Sequence, residues 1–235
     1  MSNTPAIHPS ILNADQAHLA EELARIESAD GLHLDVMDNH FVPNMFAGPS
    51  FTQTVLEHTS LPVDAHLMIE DADRWAPQYA EMGCAVVTAH AEATRAPFVL
   101  VKELHRLGAQ AGIALRPTTP LEVVEPLLGE IDMLLIMTVE PGFGGQSFVE
   151  PMLRKIAAAR SMVSAQGLQL RIQIDGGVSL TTIERAAEAG ADVFVAGSAV
   201  YKSPDAAQAI STLRRLAGAA GGEGCSTTSI AQSIA

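Results

Sequence analysis

The chain has 235 residues, 48% of them apolar, and its 27 acidic against 14 basic side chains leave a formal charge of −13. That balance argues against the nucleic-acid binders, whose affinity draws on Lys and Arg, and it leaves any phosphate ligand to be captured locally, by devices such as backbone N–H groups. No stretch approaches the roughly 18 uninterrupted apolar residues of a membrane helix, the start "MSNTPAIHPSIL" has no basic stretch leading into an apolar core, and two cysteines, Cys84 and Cys225, without a Cys-x-x-Cys argue against a disulfide scaffold or thiolate zinc site; a cytoplasmic protein with neither a nucleic-acid nor a membrane partner is expected.

The chain opens on an apolar extended run, "AIHPSIL". In the following "DQAHLAEELARIES", Asp15 is placed to cap a helix, and Leu19, Leu23 and Ile26 recur at helical spacing. "GLHLDV" reads as the second strand, and a loop rich in Pro and Asn leads to the helical "FTQTVLEHT". "PVDAHLM" then pairs with "DADRWAPQYAEMG", "AVVTAH" with "APFVLVKELHRLG", and "AGIALR" with "PLEVVEPLL". "DMLLIMTV" runs through a Gly-rich loop into "EPMLRKIAAARSMVSAQG", "LRIQID" precedes "LTTIERAAEAG", and "DVFVAG" precedes "SPDAAQAISTLRRLAG". Gly83, Gly108, Gly167 and Gly190 stand just past predicted helix ends, the usual place for Gly. Eight strand–helix pairs at this length predict an α/β fold, a single (β/α)8 TIM barrel over residues 1–217. An open doubly wound sheet is the alternative. Residues 218–235 are small and polar without helical periodicity, and a flexible C-terminal tail is expected there.

Alternation along a strand puts Leu32, Leu34 and Val36 on one face and His33, Asp35 and Met37 on the other. Barrel active sites lie at the C-terminal ends of the strands. The polar residues at those ends are Ser10 on the first predicted strand, His33 and Asp35 on the second, His66 on the third and Asp175 on the seventh. A lone His in a strand is commonly a hydrogen-bonded core residue. Two imidazoles and two carboxylates at matching ends are different, because burying both acids without a cation is costly and no Lys or Arg stands in these motifs. The mixed nitrogen and oxygen set suits one divalent metal ion, Zn, Fe, Mn or Co, better than Ca or Mg.

Three Gly-bearing turns follow the last three strands: Gly142, Phe143, Gly144 and Gly145 in "VEPGFGGQSF", Gly176 and Gly177 in "DGG", and Gly197 and Ser198 in "AGSAVY". Each is by itself a tight turn; together they let backbone N–H groups approach an anion, at the recurrent phosphate site of such barrels. Met37, Met68 and Met137 also fall at strand ends, either as core filler or as a polarizable, water-excluding floor.

These motifs resemble those of the ribulose-phosphate 3-epimerase family. The resemblance runs from "HPSILNAD" through "HLDVMDNHFVPN", "DAHLM", "TAHAEAT", "MTVEPGFGGQSF" and "IDGGV" to "VAGSAVY", nearly the whole chain to about Ala217. It implies a barrel that interconverts ribulose 5-phosphate and xylulose 5-phosphate, and a homo-oligomer. Position by position, it implies metal ligation by His33, Asp35, His66 and Asp175, acid/base chemistry by Asp35 and Asp175, and substrate binding by Ser10 and His66. The methionines Met37, Met68 and Met137 would lie near the reacting carbons, and Gly142 to Gly145, Gly176, Gly177, Gly197 and Ser198 would bind phosphate and substrate. This sequence departs from the family at Asn39 (often Gly), Asn13 (commonly Ser), Thr118 (commonly Gly) and in "PNMFAGP", which lacks a Thr after the Asn. Asn tolerates left-handed backbone, so the turn at Asn39 is expected to survive. Two alternatives stay open: a 3-epimerase of a ketohexose 6-phosphate such as allulose 6-phosphate, and a non-catalytic sugar-phosphate-binding barrel. Lysine-dependent decarboxylation or aldol cleavage would need a strand-end Lys; none precedes Lys102, and Lys155 and Lys202 fall in helix or loop positions.

Overall fold

The computed structural model describes residues 4–223. Its strands are β1 (Ala6–Pro9), β2 (Leu32–Asp38), β3 (Met45–Phe46), β4 (Val63–Met68), β5 (Val86–His90), β6 (Gln110–Leu115), β7 (Met133–Met137), β8 (Arg171–Asp175) and β9 (Val193–Ala196). They form one sheet in the order β1-β9-β8-β7-β6-β5-β4-β2-β3. All pairs are parallel except β2 with β3. A parallel bridge between Ser10 and His33 brings the β1 edge onto β2 and closes the ring. The predicted TIM barrel is thus the architecture, and the open doubly wound sheet is not. β3, a two-residue return of the loop after β2, is a strand that the sequence pattern does not mark.

The alternation along each strand explains two cores. Outward-facing Leu32, Leu34, Val36, Val63, Ala65 and Leu67 join the large apolar cluster that packs the ring against its helices. These helices include α1 (Leu19–Ala24), α2 (Pro49–His58), α3 (Ala72–Met82), α4 (Pro97–Arg106), α5 (Met152–Ala165), α6 (Ile183–Glu188), α7 (Ser198–Tyr201) and α8 (Ala206–Glu223). Inside the ring, Ala6, Val86, Met133 and Val193, the first residues of their strands, form a small apolar plug at the N-terminal end. Beyond the plug the interior turns polar, with buried His8, His33, Asp64, His66, Thr88, His90 and Gln173. A polar interior is costly unless its groups find partners; most do, while Thr88 Oγ1 and one oxygen each of Asp64 and Gln173 have none.

Two predicted segments differ. The expected helix "PLEVVEPLL" is absent among the described residues: Leu121–Val123 and Glu125–Leu127 are separate 3₁₀ turns. Pro126 lacks the N–H an α-helix needs there, and its ring opposes the carbonyl four residues back. At the other end, α8 continues past Ala217 to Glu223, beyond the expected domain boundary. Ala and Gly at 217–222 carry no apolar periodicity, yet they do not break a helix already nucleated. The rest of the expected flexible tail, residues 224–235, lies outside the described residues, and no helix among the described residues is long and apolar enough to cross a membrane. Asp15 caps as expected, accepting from the Ala17 N–H at 3.0 Å, but it caps a 3₁₀ turn that leads into α1.

Candidate metal centre

Parallel pairing without slip sets the site. On β2 and β4 the register pairs His33 with Asp64, Asp35 with His66, and Met37 with Met68. Side chains of paired residues share a face, so three layers stack from the interior toward the mouth. β8 adds Asp175, in register with Met137 of β7.

The layers bring four ligand atoms together. One ligand atom each from His33, Asp35, His66 and Asp175 lies within 4.8 Å of the other three. Asp35 Oδ1 is 3.5 Å from His33 Nε2 and 3.2 Å from His66 Nδ1, and Asp175 Oδ2 is 3.7 Å from His66 Nδ1. His33 Nε2 and His66 Nδ1 are 3.4 Å apart. Both imidazoles are sealed from solvent, and Asp175 is the most accessible of the four. Two imidazole nitrogens and two carboxylate oxygens converging in a buried pocket match the donors that zinc and other first-row divalent ions take. The set could therefore hold such an ion.

Electrostatics separate the two acids. Burial opposes ionisation of Asp35, but the charge and hydrogen bond of neighbouring His33 outweigh it and hold the pKa well below the usual carboxylate range. Ser10 Oγ donates to Asp35 Oδ2 at 2.6 Å. Asp175 goes the other way: burial first, then the charge of Asp35, push it up to about 6. Burial likewise opposes a charged His33, yet Asp64 and Asp35 hold its pKa well above the ordinary imidazole value. A cation in place of that proton would relieve the same crowding of negative charge.

Asp64, His90 and Glu92, with His8 and Gln173, join the network without being singled out by the sequence reading. Asp64 Oδ2 accepts from His33 Nδ1 and His8 Nδ1, each at 3.1 Å, and from the Gln173 amide. His66 Nε2 lies 2.9 Å from His90 Nε2, and His90 Nδ1 lies 3.1 Å from Glu92 Oε2. Burial pushes fully enclosed His90 down to about 4, which keeps it neutral. Burial opposes the charge on Glu92, but hydrogen bonds from His90, Thr119 and the Arg116 N–H bring it down to about 2. The signal that finds Asp64 and His90 is the two-residue alternation itself: Asp64 shares a strand face with His66, and His90 shares one with Thr88.

A cavity opens at the C-terminal ends of the strands. It is lined by Ser10, Asp35, Met37, Met68, Met137 and Asp175, by Gly142, Phe143, Gly144 and Gly145, and by Gly176, Gly177, Gly197 and Ser198. Of the sequence-predicted site residues, His33 and His66 do not line it; His33 lies one layer deeper than Asp35, and His66 lies beside Asp35 in its own layer. Met37 and Met68 pack with Val42 on one wall, and Met137 packs with Ala114, Leu135 and Val139 on another. Gly177 has a φ of 67°, and a Cβ there would stand 2.4 Å from the Phe148 nitrogen, so only Gly fits. Among the described residues that line the cavity there is no Lys or Arg. Asn39 keeps the left-handed turn, with φ 60° and its N–H bonded to Asn44 O at 2.8 Å. The Asn44 amide donates to Gly142 O at 2.9 Å, tying the loop after β2 to the Gly-rich loop.

A closed β/α ring with a mixed His/Asp set at its strand ends defines a metal-capable barrel of the enzyme type. Residues 6–201 match the ribulose-phosphate 3 epimerase family. The chain is 53% identical to the ribulose-phosphate 3-epimerase of Mycobacterium bovis over 216 residues, 92% of this chain and 94% of that protein. It is 44% identical to the Bacillus subtilis protein of the same name, over 88% of this chain and 97% of the relative. It is 39% identical to the Escherichia coli protein, over 88% and 94%. The chain belongs to the ribulose-phosphate 3-epimerase family. Among solved structures, KGPDC from Streptococcus mutans superposes with a TM-score of 0.66 at 13% identity, covering 91% of this chain and 97% of that one. Orotidine 5'-phosphate decarboxylase from Pyrococcus horikoshii gives 0.61 at 16% identity, covering 90% and 98%. At those identities the likeness is one of fold.

Proposed function

We propose that this protein interconverts D-ribulose 5-phosphate and D-xylulose 5-phosphate by moving one proton at C3. The observation that carries the reading is a pair of carboxylates, Asp35 and Asp175, on different strands of one ring and pushed to opposite sides of the usual carboxylate pKa. Family membership supports the substrate.

Epimerisation needs the C3 proton to leave from one face and a proton to return to the other. The C3–H adjoins the C2 carbonyl, so its electron pair moves into an enediolate with negative charge on oxygen. Two carboxylates on opposite faces of C3 supply both transfers: one takes the proton as base, and the other, protonated, returns one as acid. Their roles swap in the reverse direction. Ser10 orients Asp35 through its 2.6 Å hydrogen bond. His33, Asp35, His66 and Asp175 would hold one divalent cation, which when bound supplies Lewis-acid stabilisation of charge developing on the substrate oxygens. Met37, Met68 and Met137 present apolar, polarizable surface beside the carboxylates and exclude water from the carbanionic centre. The phosphate, in a cavity lined without Lys or Arg, is received by backbone N–H groups of the Gly142–Gly145, Gly176–Gly177 and Gly197–Ser198 loops.

The test is NMR in heavy water with ribulose 5-phosphate and allulose 6-phosphate in parallel, before and after chelation and metal return. Epimerisation with deuterium at C3 of the pentose, abolished by chelation, is the expected result. Exchange confined to the hexose would replace the substrate, and no exchange with either would overturn the reading.

A further inference from the structure

We propose that Glu92 and His90 are positioning residues that fix which nitrogen of His66 carries its proton, and so turn the Nδ1 lone pair toward Asp35 and Asp175. The inference deepens the metal reading above and rests on it for its consequence, though not for the tautomer itself.

The contact between His66 Nε2 and His90 Nε2, at 2.9 Å, needs one ring nitrogen to donate and the other to accept. Two arrangements satisfy it. Either His66 donates and His90 accepts, or the reverse. The other end of His90 decides. Its Nδ1 faces Glu92 Oε2 at 3.1 Å, and an ionised carboxylate only accepts. His90 therefore carries its proton on Nδ1, its Nε2 accepts, and His66 must donate from Nε2. That leaves His66 Nδ1 as a bare lone pair, 3.2 Å from Asp35 Oδ1 and 3.7 Å from Asp175 Oδ2. A lone pair aimed at two carboxylate oxygens is repulsive unless a cation sits among them, so the proton order runs in the sense that metal ligation requires.

Glu92 is held in that duty from its other side. Its Oε1 accepts from the Arg116 N–H at 2.9 Å and from the Thr119 hydroxyl. Arg116 in turn lies over the Phe41 ring, 4.1 Å from its centroid, and donates to Phe41 O at 2.7 Å. Phe41 packs on His90, with centroids 4.8 Å apart. The carboxylate thus cannot swing away from His90 without releasing the loop after β6. These same contacts make Glu92→Gln informative. Its single carbonyl oxygen serves Arg116 and Thr119, which turns the amide N–H₂ toward His90 Nδ1. His90 must then accept at Nδ1 and donate from Nε2, and the proton of His66 is driven onto Nδ1.

The experiment uses the full-length protein, with Glu92→Gln, His90→Ala and Glu92→Asp beside the parent, all checked for fold by circular dichroism. Long-range ¹H–¹⁵N spectra of the metal-free protein read the His66 tautomer; competition against a chromogenic chelator reads Co(II) affinity. The parent is expected to show His66 protonated at Nε2 and unprotonated at Nδ1. Glu92→Gln is expected to reverse the tautomer and weaken Co(II) binding 10–100-fold, and Glu92→Asp to restore most of it. A parent with His66 protonated at Nδ1, or a Glu92→Gln variant with unchanged tautomer and Co(II) affinity within twofold of the parent, would overturn the proposal. Failure of the metal reading itself shows separately, as a parent that binds no Co(II), and the tautomer then still decides the relay.

Discussion

The two histidines of the site are supported in contrasting ways. His33 leans directly on Asp64, which is 1% exposed and serves His8 and Gln173 as well. His66 leans on Glu92 only through a second imidazole, and Glu92, 22% exposed, belongs to the loops at the mouth. The first support is part of the barrel's interior and cannot be altered without disturbing the fold. The second reaches the surface, so it can be altered with the fold intact. Equivalent ligands thus carry different liabilities: one is bound to stability, the other to the conformation of the loops after β5 and β6.

The sharpest way to break the comparison is Asp64→Ala. It strands the buried donors of His33, His8 and Gln173 without an acceptor, and urea unfolding should show a loss of roughly 3–5 kcal/mol. Stability close to the parent would mean that the interior support is replaceable after all. Asp35→Asn acts where the two supports meet, since both imidazoles face Asp35 Oδ1. Its turnover should fall about 10²–10⁴-fold while the variant retains some metal; near-parental turnover, by coupled assay, would remove Asp35 from the acid/base role. His66→Ala should lower metal content after dialysis, and unchanged content would take His66 out of the ligand set.

Glu92→Gln sharpens the outer support through pH. Glu92 is depressed from 4.5 to about 2 in the folded chain. A carboxylate lowered in this way stabilises the fold above its unfolded pKa, and that contribution is lost as pH falls through the folded value. The parent should therefore exceed Glu92→Gln by at most roughly 2 kcal/mol near neutrality, since solvent screens a partly exposed carboxylate, with the gap closing between pH 4.5 and about 2. A gap that does not change with pH would show that the Glu92 charge is not the source. The smallest effect is expected at Lys155, whose ammonium donates to Arg116 O at 2.7 Å and Pro117 O at 3.3 Å beneath the same loop. Lys155→Met should cost about 1–2 kcal/mol and raise KM more than it lowers kcat; an unchanged KM would separate this loop from substrate binding.

The strand–helix alternation was legible because every parallel strand carries an apolar outward face and is followed by Gly or a helical period. His33, Asp35, His66 and Asp175 were legible because chemistry-bearing side chains stand at strand ends, where barrels collect their sites. The helix expected over "PLEVVEPLL" failed because one imino acid, Pro126, outweighs an otherwise helical composition. Asp64, His90 and Glu92 escaped for a different reason. The two-residue alternation sets Asp64 and His90 on the inner face without naming their partners; those come from cross-strand register, such as His33 opposite Asp64, which only the folded sheet supplies. β3 is likewise made by a loop folding back, without a periodic signal.

The seam between β1 and β2 carries a consequence for synthesis. Among the described strands β1 is made first, yet its ladder partner, β9, is made last. On its other edge a bridge joins Ser10 to His33, and the Ser10 hydroxyl also holds Asp35. A nascent chain can therefore display His33, Asp35 and His66 long before it has the strand that anchors Ser10 beside them. Completion of the ring and completion of the site coincide, so the pocket is assembled only once β9 has been made.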